Sequence, residues 1–299
     1  MKLLTGIDKL KYLSLVVMIF FTLSLSAVLL LSTTTNVFND VQGGQISEDG
    51  IAVPIIMYHS ILKNSNELGK YVITPDEFES DLKYLKEHNY NAITMSDLVN
   101  YVYNGGDIPL KPIVITFDDG NLNNYLYGQP LLQKYGMRAV ISIVGSYSEK
   151  FSVPPYPTKD PYYSFASWDQ LRIMADSGYF EIQNHTYELH SVNKRNGAKR
   201  RAGEFFDDYR KLLIEDVGRL QQKLTEVTGV TPNTFTYPFG AISKESREIL
   251  KELGFKAALT CAEGVNLINK NRKDPLFGLK RYNRPHGMTS ERFFKKICP

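Results

Sequence analysis

From residue 51 onward, short apolar runs alternate with longer amphipathic stretches, and this alternation restricts the possible fold more than any other feature. Runs such as VPIIMY, PIVITF and RAVISIV are separated by stretches such as DEFESDLKYLKEH, whose apolar residues recur at helical spacing. Strand followed by helix, repeated along a chain, is typical of a parallel sheet covered by helices. About eight strands in about 250 residues predict an α/β fold, a distorted or incomplete (β/α) barrel.

Three details of this pattern are specific enough to check. The last predicted strand is GLKRY, at residues 278–282. The segment 153–167 is rich in proline and aromatic residues, which predicts an irregular loop. A long helix is predicted near residues 206–228, where apolar residues recur at helical spacing.

The N-terminus predicts a membrane-spanning helix. Residues 12–31 are twenty consecutive residues without a charge, and as a helix they would span about 30 Å, the thickness of a bilayer core. Lys2, Lys9 and Lys11 precede this run, and no lysine or arginine follows it before Lys63. By the positive-inside rule, everything downstream is expected outside the cytoplasm.

The chain is therefore predicted to have three parts. Residues 1–32 form a membrane anchor, residues 33–50 a polar tether, and residues 51–299 one catalytic domain. The alternative is a cleaved signal peptide and a secreted protein, although the apolar part of a signal peptide is usually about 7–15 residues long. The net charge of +3 does not indicate a nucleic-acid partner. Cys261 and Cys298 allow one disulfide bond at most, and the sequence leaves that bond open.

The motif VITFDDG places Asp118 and Asp119 at the end of a predicted buried strand. Active sites of parallel sheets and barrels gather at the carboxyl ends of strands. Two carboxylates taken out of water require a compensating cation. Since successive strand residues point to opposite sides, one carboxylate can hold a metal while the other accepts a proton. The simpler alternative is a solvated Asp-Asp-Gly turn.

A second motif, NHTYELH, carries His185 and His190 after the predicted strand FEIQ. A spacing of five is not helical, because five steps leave two side chains about 140° apart. One histidine is therefore expected at the strand end and the other on the turn that follows. Two imidazoles and one carboxylate are the three protein ligands of a catalytic zinc-type site with an open position.

Two other histidines also follow strands. His59 comes at the end of the first predicted strand, and His286 follows the last one. Either side chain could face the site, and either could be a hydrogen-bonded structural histidine.

Taken together, TFDDG, HTYELH and YPFG, in this order and at these separations, resemble the polysaccharide deacetylases, a carbohydrate esterase family. The similarity extends from about Val53 to Arg292. The HTxxxH spacing resembles the branch that deacetylates poly-N-acetylglucosamine. The resemblance implies the distorted barrel of that family.

Carried over by motif, the resemblance implies that Asp118 is the general base and that Asp119, His185 and His190 bind one divalent metal ion. Zinc is the first expectation, with cobalt, nickel or iron as alternatives. The backbone N–H of Phe239 is implied to stabilise the developing oxyanion.

Further implied roles concern the substrate and the acid. Tyr237, Pro238 and His59 are expected to contact substrate, and the general acid is open between His286, His59 and none. This sequence departs from the family at its proline turn, where many members carry an arginine that orients the base and this chain has Thr236. Orientation of the base must then come from elsewhere. Separately, Lys280 or Arg281 could steer charge, and the sequence does not decide this.

These observations predict a hydrolase that removes acetyl groups from an N-acetylglucosamine-containing polysaccharide of the cell wall or extracellular matrix, releasing acetate. The expected partners are the acetylated polysaccharide and the membrane, with no nucleic acid. The alternatives are an O-acetyl esterase and a non-catalytic carbohydrate-binding protein on the same scaffold. A pure binder would have no need of the Asp118 carboxylate.

Overall fold

The computed structural model describes residues 50–63, 66–155, 160–193, 195–270 and 272–298. The predicted anchor, and all of the tether except Gly50, lie outside these ranges, so both remain predictions. Within the described ranges, no helix is both long enough and apolar enough to cross a membrane.

Thirteen short strands are found in the described part of the chain. In chain order they are β1 Ile51–Val53, β2 Ile55–Tyr58, β3 Ser60–Ile61, β4 Val72–Ile73, β5 Asn91–Ala92, β6 Pro112–Phe117, β7 Ala139–Ile143, β8 Phe180–Asn184, β9 Thr234–Thr236, β10 Ala257–Leu259, β11 Asn266–Ile268, β12 Phe277–Leu279 and β13 Tyr282–Asn283.

Nine of these strands form one parallel sheet. Its order is β12-β10-β9-β8-β7-β6-β2-β13, and β5 pairs with the start of β6. Every pairing in this sheet is parallel. The strand order follows the chain order from β6 to β10, as expected when each strand is joined to the next by a covering helix. The predicted α/β fold with an incomplete barrel is confirmed.

The predicted last strand, 278–282, is wrong as a single element. The structure divides it into β12, which pairs with β10 at one end of the sheet, and β13, which pairs with β2 at the other end. Only residues 280 and 281 separate the two strands. Three Cα steps span at most about 11 Å, so the two ends of the sheet must approach within that distance. A sheet curled into a nearly closed barrel meets this requirement.

In the described residues, all of the α-helices except the last lie between strands in sequence. They are α1 Pro75–Glu87, α2 Met95–Asn104, α3 Gln129–Tyr135, α4 Gly145–Ser152, α5 Trp168–Asp176, α6 Phe206–Thr228, α7 Ser246–Glu252 and α8 Ser290–Ile297. The bounds of α6 are those predicted from the sequence.

Local sequence explains where three of the helices begin. At α1, the Thr74 side chain accepts the Glu77 N–H and the Glu77 carboxylate accepts the Thr74 N–H. The same reciprocal capping box opens α2 at Thr94 and α5 at Ser167. A capping residue of this kind typically stabilises a helix by about 1 kcal/mol.

The central strands are buried on both faces, as the continuous apolar runs predict. All six residues of β6 are buried. Ile113, Ile115 and Phe117 pack in one hydrophobic cluster, while Val114 packs in another on the opposite face. This alternation ends at residue 118, where the chain changes from apolar residues to two aspartates. The described part of the loop 153–167 contains no strand or helix, apart from one bridge between Phe165 and Asn121.

Candidate active site

The paired aspartates lie directly after β6. Asp118 continues the ladder with β2 by donating its N–H to the Tyr58 carbonyl at 3.0 Å. The chain then turns through Asp119 and Gly120, whose φ angles are 71° and 82°. A Cβ atom at Gly120 would lie 2.9 Å from Ile143, so glycine is required there both by conformation and by space. This turn directs the two carboxylates to different partners.

The two histidines come from the end of β8, as predicted. His185 follows the strand directly, is buried, and places its Nδ1 2.7 Å from the Thr236 carbonyl. Since a carbonyl only accepts, Nδ1 carries the proton and Nε2 is left with a free lone pair. A hydrogen bond of this kind fixes the tautomer that a metal-binding histidine needs.

The histidine Nε2 atoms face the same carboxylate oxygen. The distances to Asp119 Oδ1 are 3.5 Å from His185 and 3.2 Å from His190. One ligand atom from each of the three residues lies within 4.8 Å of the others. Asp119 Oδ1 is buried and receives no hydrogen bond from the described residues. A buried carboxylate oxygen without a donor, facing the Nε2 atoms of two imidazoles, fits a bound divalent cation.

The electrostatics of Asp119 agree with this arrangement. Burial tends to raise the pKa of its carboxyl group, but the contacts with His185 and His190 more than offset that effect and lower the pKa. Asp119 is therefore ionised at neutral pH, as a metal ligand must be.

The turn between the two histidines is held by the long helix. The two carboxylate oxygens of Asp216, on α6, accept the backbone N–H groups of Tyr187 and Glu188, each at 2.8 Å. Sequence reasoning missed this residue. The available signal was its position beside Leu213 and Val217 on the buried side of α6.

Asp118 has a different partner, the side chain of Arg281. Nη1 donates to Oδ1 at 2.7 Å and Nη2 donates to Oδ2 at 2.8 Å. Both side chains are almost fully buried, at 0% and 3% exposure. Burial tends to raise the pKa of Asp118, but the Arg281 guanidinium lowers it below its ordinary value. Asp118 is thus ionised and oriented, which a general base requires.

Arg281 reaches this position from the segment between β12 and β13. Its N–H donates to the Ala262 carbonyl at 2.8 Å, and its Nε donates to the Thr260 carbonyl at 2.8 Å. The arginine absent beside Thr236 is thus replaced by one near the end of the chain. The sequence offered only a weak signal, two adjacent basic residues inside a predicted strand.

These residues line one cavity of about 640 Å³. Besides Asp118, Asp119, His185 and His190, its wall includes Met57, His59, Ser60, Glu67, Lys70, Tyr71, Val72, Asn121, Tyr162, Phe239, Cys261, Glu263 and Asn283.

In the proline turn, residues 237–240, only Phe239 lines the cavity. Phe239, with φ 58°, lines the cavity and its ring centroid lies 4.5 Å from that of His190. Tyr237 is 2% exposed, packs against Phe235 and shares a hydrogen bond of 2.8 Å with Ser246. Tyr237 and Pro238 are both buried and are not among the residues that line the cavity. The predicted substrate contacts of these two side chains thus receive no support from their positions.

The two other candidate histidines, His59 and His286, differ in whether they line the cavity. His59 lines the cavity, and its buried Nδ1 has no hydrogen-bond partner among the described residues. Burial lowers the pKa of His59. His286 does not line the cavity. Its Nδ1 instead lies 2.8 Å from Glu77 Oε2 on α1. Of the two, only His59 is brought to the aspartates.

The two cysteines are both free thiols. Cys261 lines the cavity, and its Sγ lies 4.0 Å from Arg281 Nη2. Cys298 follows α8 and lies against the hydrophobic core.

Comparison with known proteins adds a family match. Residues 105–258, more than half of the chain, match the family model described as polysaccharide deacetylase. The poly-beta-1,6-N-acetyl-D-glucosamine N-deacetylase of Staphylococcus aureus (strain MSSA476) is 26% identical over 211 residues, covering 70% of this chain and 67% of that protein.

Two solved structures are also similar. The deacetylase PplD of Streptococcus pyogenes, in complex with acetate, has a TM-score of 0.68 and 20% sequence identity, covering 84% of this chain and 100% of that one. IcaB from Ammonifex degensii has a TM-score of 0.63 and 25% identity, covering 78% of this chain and 92% of that one. The first likeness concerns the fold alone, and it agrees with the predicted distorted barrel.

Proposed function

Since the chain belongs to the polysaccharide deacetylase family, we propose that it is a metal-dependent N-deacetylase of a polymer containing N-acetylglucosamine. The observation that carries this proposal is the grouping of Asp119, His185 and His190 around one point, with Asp118 beside them. A carbohydrate-binding protein needs no ionised, oriented Asp118 in such a cavity. The name of the staphylococcal relative supports a β-1,6-linked polymer as the first substrate to test.

Asp119, His185 and His190 would hold one divalent cation, with zinc first and cobalt, nickel or iron as alternatives. When bound, such a cation polarises the acetyl carbonyl and lowers the pKa of water toward neutrality. The protein's part is to keep Asp119 ionised and to fix the His185 tautomer through the Thr236 carbonyl.

Asp118 is the proposed general base. It accepts a proton from the water that attacks the acetyl carbon, a step that typically contributes about 10²- to 10⁴-fold to the rate. Arg281 is a positioning residue, because it holds both carboxylate oxygens and does not line the cavity. Its charge keeps Asp118 unprotonated until the substrate is bound.

The remaining roles concern the oxygen and the nitrogen of the amide. The backbone N–H of Phe239 would donate to the oxyanion, and one such donor is typically worth about 3 kcal/mol of barrier. The departing amine takes up a proton, and His59, which lines the cavity, is proposed to pass on to it the proton that Asp118 took from the water. His286 is left out of this role because it pairs with Glu77.

The enzyme is further proposed to be anchored in the cell membrane by residues 12–31, with its catalytic domain outside the cytoplasm. Twenty uncharged residues preceded by three lysines support this location. Fractionation of cells that express the full chain, followed by protease treatment of intact cells, tests it. Recovery of a shortened protein from the medium would favour signal cleavage instead.

The test of function is acetate release by the full-length chain from β-1,6-linked N-acetylglucosamine oligomers, with zinc or cobalt and after chelation. Metal-dependent acetate release, accompanied by one new free amine per acetate, is expected. Acetate without amine formation would indicate ester cleavage, and metal binding without acetate from any polymer would favour the carbohydrate-binding alternative.

A further inference from the structure

One aromatic segment of the long loop is fixed to the turn that follows the paired aspartates. Ala166 donates its N–H to the Gly120 carbonyl, and Leu122 donates its N–H to the Ser164 carbonyl, each at 2.9 Å. The Asn123 amide donates to the Pro161 carbonyl at 2.9 Å. Three hydrogen bonds over residues 161–166 hold this segment in a set position relative to the reaction centre.

Tyr162, in this segment, is immobilised at both ends. Its N–H donates to Asp160 Oδ1 at 2.9 Å, and its hydroxyl donates to the Lys63 carbonyl at 2.5 Å. The side chain is still 42% exposed and lines the cavity that contains Asp118. A ring fixed in advance loses little conformational entropy when a ligand covers it.

The next residue provides a natural contrast. Tyr163 is 74% exposed, more than Tyr162, but it does not line the cavity. The two residues share residue type and segment, and both are exposed, but only Tyr162 lines the cavity. Because its hydroxyl is already bonded to the main chain, what Tyr162 offers the cavity is its aromatic ring.

We propose that Tyr162 forms a sugar-binding subsite beside the reaction centre, where its ring stacks on the pyranose next to the one being deacetylated. This inference rests on the proposed function, since it places a polymer in the cavity. The apolar face of a pyranose ring suits an amphipathic aromatic side chain. The enzyme would then prefer substrates long enough to occupy both positions.

The experiment uses the full-length chain and β-1,6-linked N-acetylglucosamine oligomers of one to six units. Tyr162→Ala is expected to lower kcat/KM about five- to tenfold on the longer oligomers, mainly through KM, and by less than about twofold on the shortest oligomer that is hydrolysed. Tyr162→Phe keeps the ring and is expected to stay close to the wild type. Tyr163→Ala is the matched control and is expected to change kcat/KM by less than about twofold at every length.

An equal loss at all lengths, no loss at any length, or the same loss in Tyr163→Ala would overturn the subsite. If the wild type releases no acetate, the proposed function fails separately. Calorimetric binding of the same oligomers then decides the subsite: tighter binding by the wild type than by Tyr162→Ala supports it, and equal or absent binding overturns it.

Discussion

Two arginines three residues apart each bind a buried aspartate, and the two pairs differ in their surroundings. Arg281 holds Asp118 with contacts of 2.7 and 2.8 Å, while Arg284 holds Asp81 with contacts of 2.8 and 3.1 Å. All four side chains are at most 3% exposed. The hydrogen-bond pattern and the burial are therefore closely matched.

The pKa values of the two aspartates nevertheless move in opposite directions. Burial raises both, but for Asp118 the Arg281 guanidinium, with smaller electrostatic contributions from the nearby His185 and His59, more than compensates, and the pKa is lowered. For Asp81 burial prevails over Arg284, and the pKa is raised.

The positions of the two pairs explain their different roles. Asp118 borders the cavity with the histidines. Asp81 lies on the buried side of α1, does not line the cavity, and accepts a hydrogen bond of 2.9 Å from the hydroxyl of Tyr58. A guanidinium contact alone does not make a carboxylate a base. The difference teaches that access to the cavity, beside the histidines, separates a reacting pair from a structural one.

The largest expected effect comes from breaking the reacting pair at its carboxylate. Asp118→Asn should lower kcat about 10²- to 10⁴-fold, because the amide cannot take a proton from water. Steady-state acetate release measures this, with zinc affinity expected to be unchanged. Asp81→Asn is the control and should leave kcat close to the wild-type value. Full activity of metal-loaded Asp118→Asn would remove the assignment of the base.

Removing either arginine should destabilise the protein by a similar amount. Arg281→Met and Arg284→Met each leave a buried carboxylate without its cation, which typically costs about 3–5 kcal/mol of unfolding free energy. Urea unfolding measures this loss. Only Arg281→Met should also move the acid limb of the kcat/KM profile to higher pH, since the pKa of Asp118 rises without the guanidinium. A matching shift in Arg284→Met would show that the two pairs are not distinct.

A third carboxylate, that of Asp216, extends the comparison to a side chain that accepts hydrogen bonds from backbone N–H groups in place of an arginine. Burial raises its pKa to about 6. A raised folded pKa contributes stability that is fully present below the unfolded value and is lost as the pH rises through about 6. Between pH 4 and pH 7, the metal-free protein should lose up to about 3 kcal/mol of unfolding free energy through this group.

Chemical denaturation at several pH values, compared with Asp216→Asn, isolates this contribution because the other titrating groups cancel in the difference. Glu215→Gln, a change at an exposed position of the same helix, should leave the dependence of unfolding free energy on pH unchanged. If Asp216→Asn keeps the wild-type dependence of unfolding free energy on pH, the titration belongs to another group.

The smallest effect should come from replacing the structural pair as a whole. Asp81→Leu combined with Arg284→Met removes both charges together, and the unfolding free energy should return to within about 1 kcal/mol of the wild type. A double-mutant cycle in urea measures the coupling. A double variant as unstable as the single ones would mean that the packing of these side chains, rather than their charges, supports the core.

The repeating architecture and the grouping of the proposed metal ligands could be predicted from the sequence for local reasons. The hydrophobic periodicity of a strand or a helix can be recognised within a few residues. Asp119, His185 and His190 could be recognised because their side chains can bind metal and they follow predicted strands. The bounds of the long helix 206–228 came from its apolar spacing.

Long-range contacts could not be predicted in the same way. The run 278–282 has strand composition throughout, and nothing in its composition tells which strands it pairs with or that it divides between two ends of one sheet. The partner of Asp118 lies 163 residues away, so its role depends on how the barrel closes. His286 follows a strand just as His59 does, and only the tertiary structure distinguishes them.

The division of residues 277–283 between the two ends of the sheet also determines when the catalytic centre is completed. A ribosome delivers Asp118 and Asp119 first, then His185 and His190, and the chain must grow 163 residues beyond Asp118 before Arg281 exists. Contacts of such sequence separation form late and slow folding. Synthesis therefore supplies the metal ligands well before the partner of the base, and a ribosome that stalls before residue 281 leaves a chain without its last catalytic constraint.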